Sequence, residues 1–174
     1  KTVVGSSSAL GSRYGVFFGG VIGVQSGDQT VSNELLLFDD FKVDADAGTS
    51  LIFTGAQTDV GGGSELIKTG AGLVALSGVT DRTGLNTVNE GILSLQADDA
   101  AGTGDIVING ATLDYGATVA VANTVEAGAA GAIRTRRRST ASRSRPPART
   151  ARPARPSRSN LPARARRPAT SGPR

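Results

Sequence analysis

Two glycine-rich segments and a set of carboxylates are the parts of this 174-residue chain whose residue types could do chemistry. Gly70-Ala71-Gly72-Leu73-Val74-Ala75 meets the spacing G-x-G-x-x-[GA], and Glu90 follows 20 residues after Gly70, the arrangement that cradles a dinucleotide. That chemistry needs a helix whose N-terminal amides receive the pyrophosphate. The residues that follow, Leu76-Ser77-Gly78-Val79-Thr80, are β-prone and interrupted by Gly, so no cofactor is expected. Gly102-Thr103-Gly104-Asp105-Ile106 partly resembles a calcium-binding nonapeptide repeat. Only one such unit exists and its double Gly is missing, so it reads as a turn feeding a strand from Asp105 to Ile108. Asp39-Asp40 with Asp44 and Asp46, and Asp98-Asp99, read as solvent-facing corners that keep a long sheet soluble. A carboxylate pair could hydrolyse a glycosidic bond, but its separation is not written in a sequence, and no catalytic group is nominated. The chain has no Cys, His, Met or Trp, which excludes a Cys/His zinc site, a Ser-His-Asp triad, a thiol nucleophile and a disulfide framework. Gly20 to Thr30 is Gly-rich but lacks the Gly-Lys-Ser/Thr ending of a phosphate loop.

The elements that carry these residues fall into two compositional parts. All 15 acidic residues precede Ile133 and 14 of the 19 basic residues follow it, so residues 1–133 carry a formal charge of −10 and residues 134–174 one of +14. All 7 Pro lie in the second part, and all 7 aromatics and 23 of the 24 Gly in the first. The body is rich in Val, Leu, Ile, Thr and Gly, the composition of many short strands joined by turns. Its longest apolar stretch, Tyr14 to Val24, holds four Gly and is too short for a membrane-spanning helix. Lys1 reads as an internal start, and the chain as a fragment.

The body repeats. Val88-Asn89-Glu90-Gly91, Val107-Ile108-Asn109-Gly110 and Val125-Glu126-Ala127-Gly128 share Val-x-x-Gly at spacings of 19 and 18 residues. A second strand follows each Gly in the first two copies, and Leu51-Ile52-Phe53-Thr54-Gly55-Ala56 recurs as Leu66-Ile67-Lys68-Thr69-Gly70-Ala71. Units of this length, cornered by Gly or Asn, cannot bury their own apolar face and must stack. Between Val31 and Ile133 no ten-residue window has a helical period free of Gly, which disfavours helix-containing repeats. The expected fold is an all-β, right-handed parallel β-helix over residues 31–133, with residues 1–30 a poorly patterned β segment; a β-sandwich is the alternative.

Leu66 to Gly78 followed by Thr83 to Leu95 resembles the autotransporter passenger-associated strand repeat, roughly L-x-K-x-G-x-G-x-L-x-L-x-G, a polar linker ending in T-G, then T-x-V-x-x-G-x-L-x-L. The pattern is met at Leu66, Lys68, Gly70, Gly72, Leu76, Gly78, Thr83, Gly84, Val88, Gly91, Leu93 and Leu95, with looser echoes at Val107, Gly110, Val125 and Gly128. It departs at Val74, and at Asp81-Arg82, where the family carries an aromatic near the turn. The resemblance implies a β-helical passenger of a type V secreted protein from a Gram-negative bacterium, a structural and display stalk without enzymatic activity. It also implies a membrane β-barrel translocator elsewhere in the same protein, cell-surface display, and an adhesive or virulence role toward a host-surface or matrix ligand.

From Arg134 to Arg174 the only large apolar residue is Leu161, so this Arg/Pro/Ala/Ser-rich tail is expected to be disordered. Its composition is also what GC-rich DNA encodes when translated out of frame. Read as genuinely encoded, it would bind nucleic acid through charge, which makes a nucleic-acid-binding protein one alternative function. A carbohydrate-active β-helix enzyme is the other.

Overall fold

A computed structural model describes residues 1–6, 10–116 and 118–136, and over these the protein is all-β, with no helix. The chain divides into two units, Lys1–Ser139 and Thr140–Arg174. The second lies outside the described residues, and with it most of the basic tail.

Sixteen strands, numbered in chain order, form three parallel walls. The first wall contains β1 (Thr2–Val3), β3 (Val21–Val24), β6 (Phe41–Ala45), β9 (Leu66–Thr69), β11 (Asn86–Val88), β13 (Ile106–Ile108) and β15 (Val125–Ala127). The second contains β4 (Asp28–Val31), β7 (Ser50–Phe53), β10 (Leu73–Leu76), β12 (Ile92–Leu95), β14 (Thr112–Gly116) and β16 (Ala132–Arg136). The third contains β2 (Gly15–Phe17), β5 (Leu35–Leu37) and β8 (Gln57–Asp59), extended by a single bridge from Gln57 to Thr80. The chain visits the walls in turn and returns one level on, which makes a β-solenoid of about six turns. We number its coils 1 to 7 by their first-wall strands, the first and last being partial.

Register explains the core. On the first wall Ile22, Val43, Lys68, Val88, Ile108 and Ala127 stack in one column, and Phe41, Leu66, Asn86, Ile106 and Val125 in a second. On the second wall Leu51, Val74, Leu93 and Leu113 line up. All the apolar members but Ala127 and Val125 are fully buried. Each coil thus covers the apolar face of the one before, as the composition requires.

Four features differ from the sequence reading. The boundary at residue 30 does not divide the fold, because β3 pairs with β6 and β4 with β7. Val88 pairs with Ile108 rather than Val107, and Val107 faces Glu126, so Val107 points outward, half-buried, while its neighbours Ile106 and Ile108 fill the core. The coil step at this point is 20 residues and not 19. Leu51 and Leu66 are not copies of one position, since β7 lies on the second wall and β9 on the first. Strand β16 runs through Arg136, three residues past the compositional switch at Ile133.

Corner glycines are of two kinds. Gly70, Gly91 and Gly110 have φ of 74°, 66° and 75°, the left-handed conformation expected at the turn from first to second wall. Gly55, Gly78, Gly84 and Gly104 have ordinary φ but stand against backbone: a Cβ on Gly104 would lie 2.6 Å from the Gly84 carbonyl carbon, and one on Gly78 2.6 Å from that of Gly55. Here coil spacing, and not dihedral preference, demands glycine.

Candidate functional site

The residues singled out by the repeat pattern take structural roles. Leu66, Leu76, Val88, Leu93 and Leu95 are buried in the core, Gly72, Gly78 and Gly84 stand at close coil-to-coil approaches, and Val125 is half-buried above Ile106. Gly128 donates its amide to Ile108 O at 2.9 Å. The Gly70–Ala75 segment is a corner followed by β10, with no helix to receive a phosphate. Asp44 pairs with Lys1 and accepts from Thr69 Oγ1 at 3.1 Å; Asp98 accepts from Ala120 N at 2.7 Å. Hydrogen bonding to Lys1 holds the Asp44 carboxyl below its usual range.

Lys68 is fully buried within an apolar column. Its ammonium donates to Thr69 O at 2.7 Å, Gly70 O at 2.6 Å and Glu90 O at 3.1 Å, tying the corner of coil 4 to that of coil 5. Burial pushes its pKa down to about 8, against the pull of Asp44 and Glu90. Arg82, where the family pattern has an aromatic nearby, is also fully buried. Its Nη1 donates to Asn86 Oδ1 at 3.1 Å, and Asn86 Nδ2 donates onward to Ala101 O at 3.0 Å and Gly104 O at 3.1 Å. Burial lowers the Arg82 pKa to about 10, against Asp59 and Asp81, so it remains charged at neutral pH. Arg82 Nε and Nη2, and both amide atoms of buried Gln57, have no protein partner. In the sequence Arg82 stands out only as a departure from the repeat pattern and Gln57 not at all, and no periodic signal marks either as interior.

The third wall is the part of the surface least like a solvated stalk. In coil 1 Tyr14, Val16 and Phe18 point outward; the register puts Leu36 beside Val16 and Thr58 beside Leu36. One residue past the strands, Phe38 N donates to Phe17 O and Val60 N to Leu37 O, so the ladder continues as a column Phe18, Phe38, Val60. Phe18 and Phe38 stack with centroids 4.7 Å apart and planes at 21°, and are 74% and 42% exposed. Tyr14 and Val79 are 57% and 56% exposed at the near edge. Where the third wall ends, a cleft of about 410 Å³ opens, lined by Thr58, Val79, Thr80, Asp81, Asp99 and Thr103 among others. Asp99, at φ 57°, is the one non-glycine left-handed residue among those described. Asp81 Oδ1 accepts from Asp59 N at 2.6 Å. Among the described residues there is no cluster of three or more potential metal ligands. In comparisons with protein-family models, curated proteins and solved structures, nothing matches this chain.

Proposed function

We propose that this chain is a stalk segment of an autotransporter passenger, a β-solenoid displayed at the cell surface of a Gram-negative bacterium by a translocator barrel in the same protein. The observation that carries it is the agreement between the repeat pattern and the coils. Leu66, Leu76, Val88, Leu93 and Leu95 of the pattern are core residues, its glycines are corners or close approaches, and its lysine closes a corner from inside. Such a rod holds its ends apart without a hinge, and coil-on-coil burial lets it fold progressively as it emerges.

The test is export. Residues 1–136 fused between a secretion signal and a functional translocator barrel should reach the surface of intact cells, where external protease and antibody find them. Retention in the periplasm, in cells whose barrel exports a control passenger, would refute the proposal.

A further inference from the structure

We infer that the third wall is a docking surface for an extended, cationic and amphipathic peptide segment. The inference stands on the wall itself and is independent of the passenger reading.

Six of the large apolar side chains most exposed among the described residues, Tyr14, Val16, Phe18, Phe38, Val60 and Val79, share this wall. On the first wall the outward column Lys42, Ile67, Thr87, Val107 and Glu126 mixes polar residues with two half-buried apolar ones, whereas the third wall exposes its apolar side chains as a group. A contiguous apolar face of this kind marks an interaction site. Its border is acidic. Glu34 stands between Tyr14 and Ala56, Asp39 sits over Gly19 beside Phe18, and Asp81 and Asp99 flank the cleft at the far end, all four exposed. Arg13, at the N-terminal corner, is the one exposed basic residue next to this face among those described, and the buried Arg82 guanidinium lies behind Asp81.

That pairing of charge and apolarity selects the occupant. A second copy would bring the same acidic border against this one and be repelled. A peptide carrying apolar side chains on one face and Lys or Arg beside them would bury the Phe18–Phe38–Val60 column and neutralise the border. The dimensions fit a short strand. Four coil steps at about 4.8 Å put coil 1 and coil 5 roughly 19 Å apart, the length of about six extended residues, of which every second one faces the wall. Apolar side chains facing the wall would then meet Phe18 and Val60, and the Lys side chains between them, long enough to curl around the strand, would reach the acidic border.

The probe is a fluorescent eight-residue peptide of alternating Lys and Leu, titrated with the full chain by anisotropy at about 150 mM salt, where charge alone is strongly screened. Peptides of alternating Glu and Leu, and of alternating Lys and Ser, are the controls. The Lys/Leu peptide should bind at least tenfold more tightly than either control. Phe18→Ser combined with Phe38→Ser, and separately Glu34→Gln combined with Asp81→Asn, should each weaken it about tenfold with an unchanged far-ultraviolet spectrum and melting temperature. Equal binding of the Glu/Leu peptide, equal binding of the Lys/Ser peptide, or indifference to both double variants would overturn the inference. So would a dimer in sedimentation that the two Phe substitutions abolish, since the occupant would then be a second copy.

Discussion

Replacing Gly104 by Ala separates the two demands that this fold places on glycine. Gly104 has an ordinary φ, so Ala introduces no backbone strain and even narrows the unfolded ensemble, which favours folding by about 0.4–1 kcal/mol. Against this, the new methyl would lie 2.6 Å from the Gly84 carbonyl carbon and 2.8 Å from Thr83 O, both backbone atoms with no rotamer to yield. Coils 5 and 6 are held together at this corner by Asn86 N donating to Asp105 O at 2.8 Å, Thr103 N to Arg82 O at 2.9 Å and Asn86 Nδ2 to Gly104 O at 3.1 Å. Admitting the methyl stretches two or more of these, at about 1 kcal/mol each, on top of an overpacking cost of about 1–3 kcal/mol. The net expectation is a loss of about 2–4 kcal/mol. Gly48 is the control, with φ 77° and nothing within 4 Å of a Cβ, so Gly48→Ala should cost only the left-handed penalty of about 1–2 kcal/mol. Gly5→Ala, with open space and ordinary φ, should instead gain about 0.4–1 kcal/mol. Urea unfolding followed by far-ultraviolet circular dichroism measures all three. A Gly104→Ala midpoint no lower than that of Gly48→Ala would refute coil spacing as the reason for the glycine.

Lys68 has a folded-state pKa of about 8 against an ordinary 10.5, so the native state binds fewer protons than the unfolded state between these values. Stability should therefore rise as pH climbs from about 8 to 10.5, by up to about 1.4 kcal/mol per pH unit, and that rise should vanish in Lys68→Met, as read by urea midpoints across the range. The Asp44 and Asp59 carboxyls are held low, the first chiefly by Lys1 and the second, despite burial, by hydrogen bonds from Ser64, Gly62 and Gly63. Their contribution is present above their ordinary value of 3.8 and should be lost as pH falls below it, with Asp59→Asn flattening the acid limb of a thermal melt series. Gln57→Leu removes two buried amide atoms that lack partners and places Leu beside Leu35, so its melting temperature should rise, by the equivalent of about 1 kcal/mol.

Glycine corners and period-two strands made the solenoid legible from residue types alone, because only stacking buries units so small. Register was less legible. In Ile106-Val107-Ile108 all three residues are apolar, so alternation does not say which two face inward, and aligning Val107 with Val88 slips the strand by one residue. The walls could not be told apart, since Leu51-Ile52-Phe53 and Leu66-Ile67-Lys68 both suit any wall of a parallel coil. The third wall has only a faint signature: from Tyr14 to Phe18 the outward Tyr14, Val16 and Phe18 and the inward Phe17 are all apolar, which hides alternation and resembles poor patterning. Arg82 and Asn86 carry no trace at all, since Arg82 is held by Asn86 and Asn86 in turn by Ala101 O and Gly104 O on the next coil, 15 and 18 residues away.

Hydrogen bonds between parallel strands run along the solenoid axis, so a pull on its two ends loads every coil step in series. Such a rod behaves as a chain of fuses. Coils 1 to 3 are joined through a third wall of paired strands, while the described steps beyond the Gln57 to Thr80 bridge carry only single hydrogen bonds on that side, such as Thr80 N to Asp99 O at 3.2 Å and Thr103 N to Arg82 O at 2.9 Å. Under tension the less-tied C-terminal steps would peel first, each releasing about twenty residues and lengthening the tether by about 65 Å. The length so released dissipates the load before it reaches the coils that carry Phe18, Phe38 and Val60, leaving that surface folded while the opposite end extends.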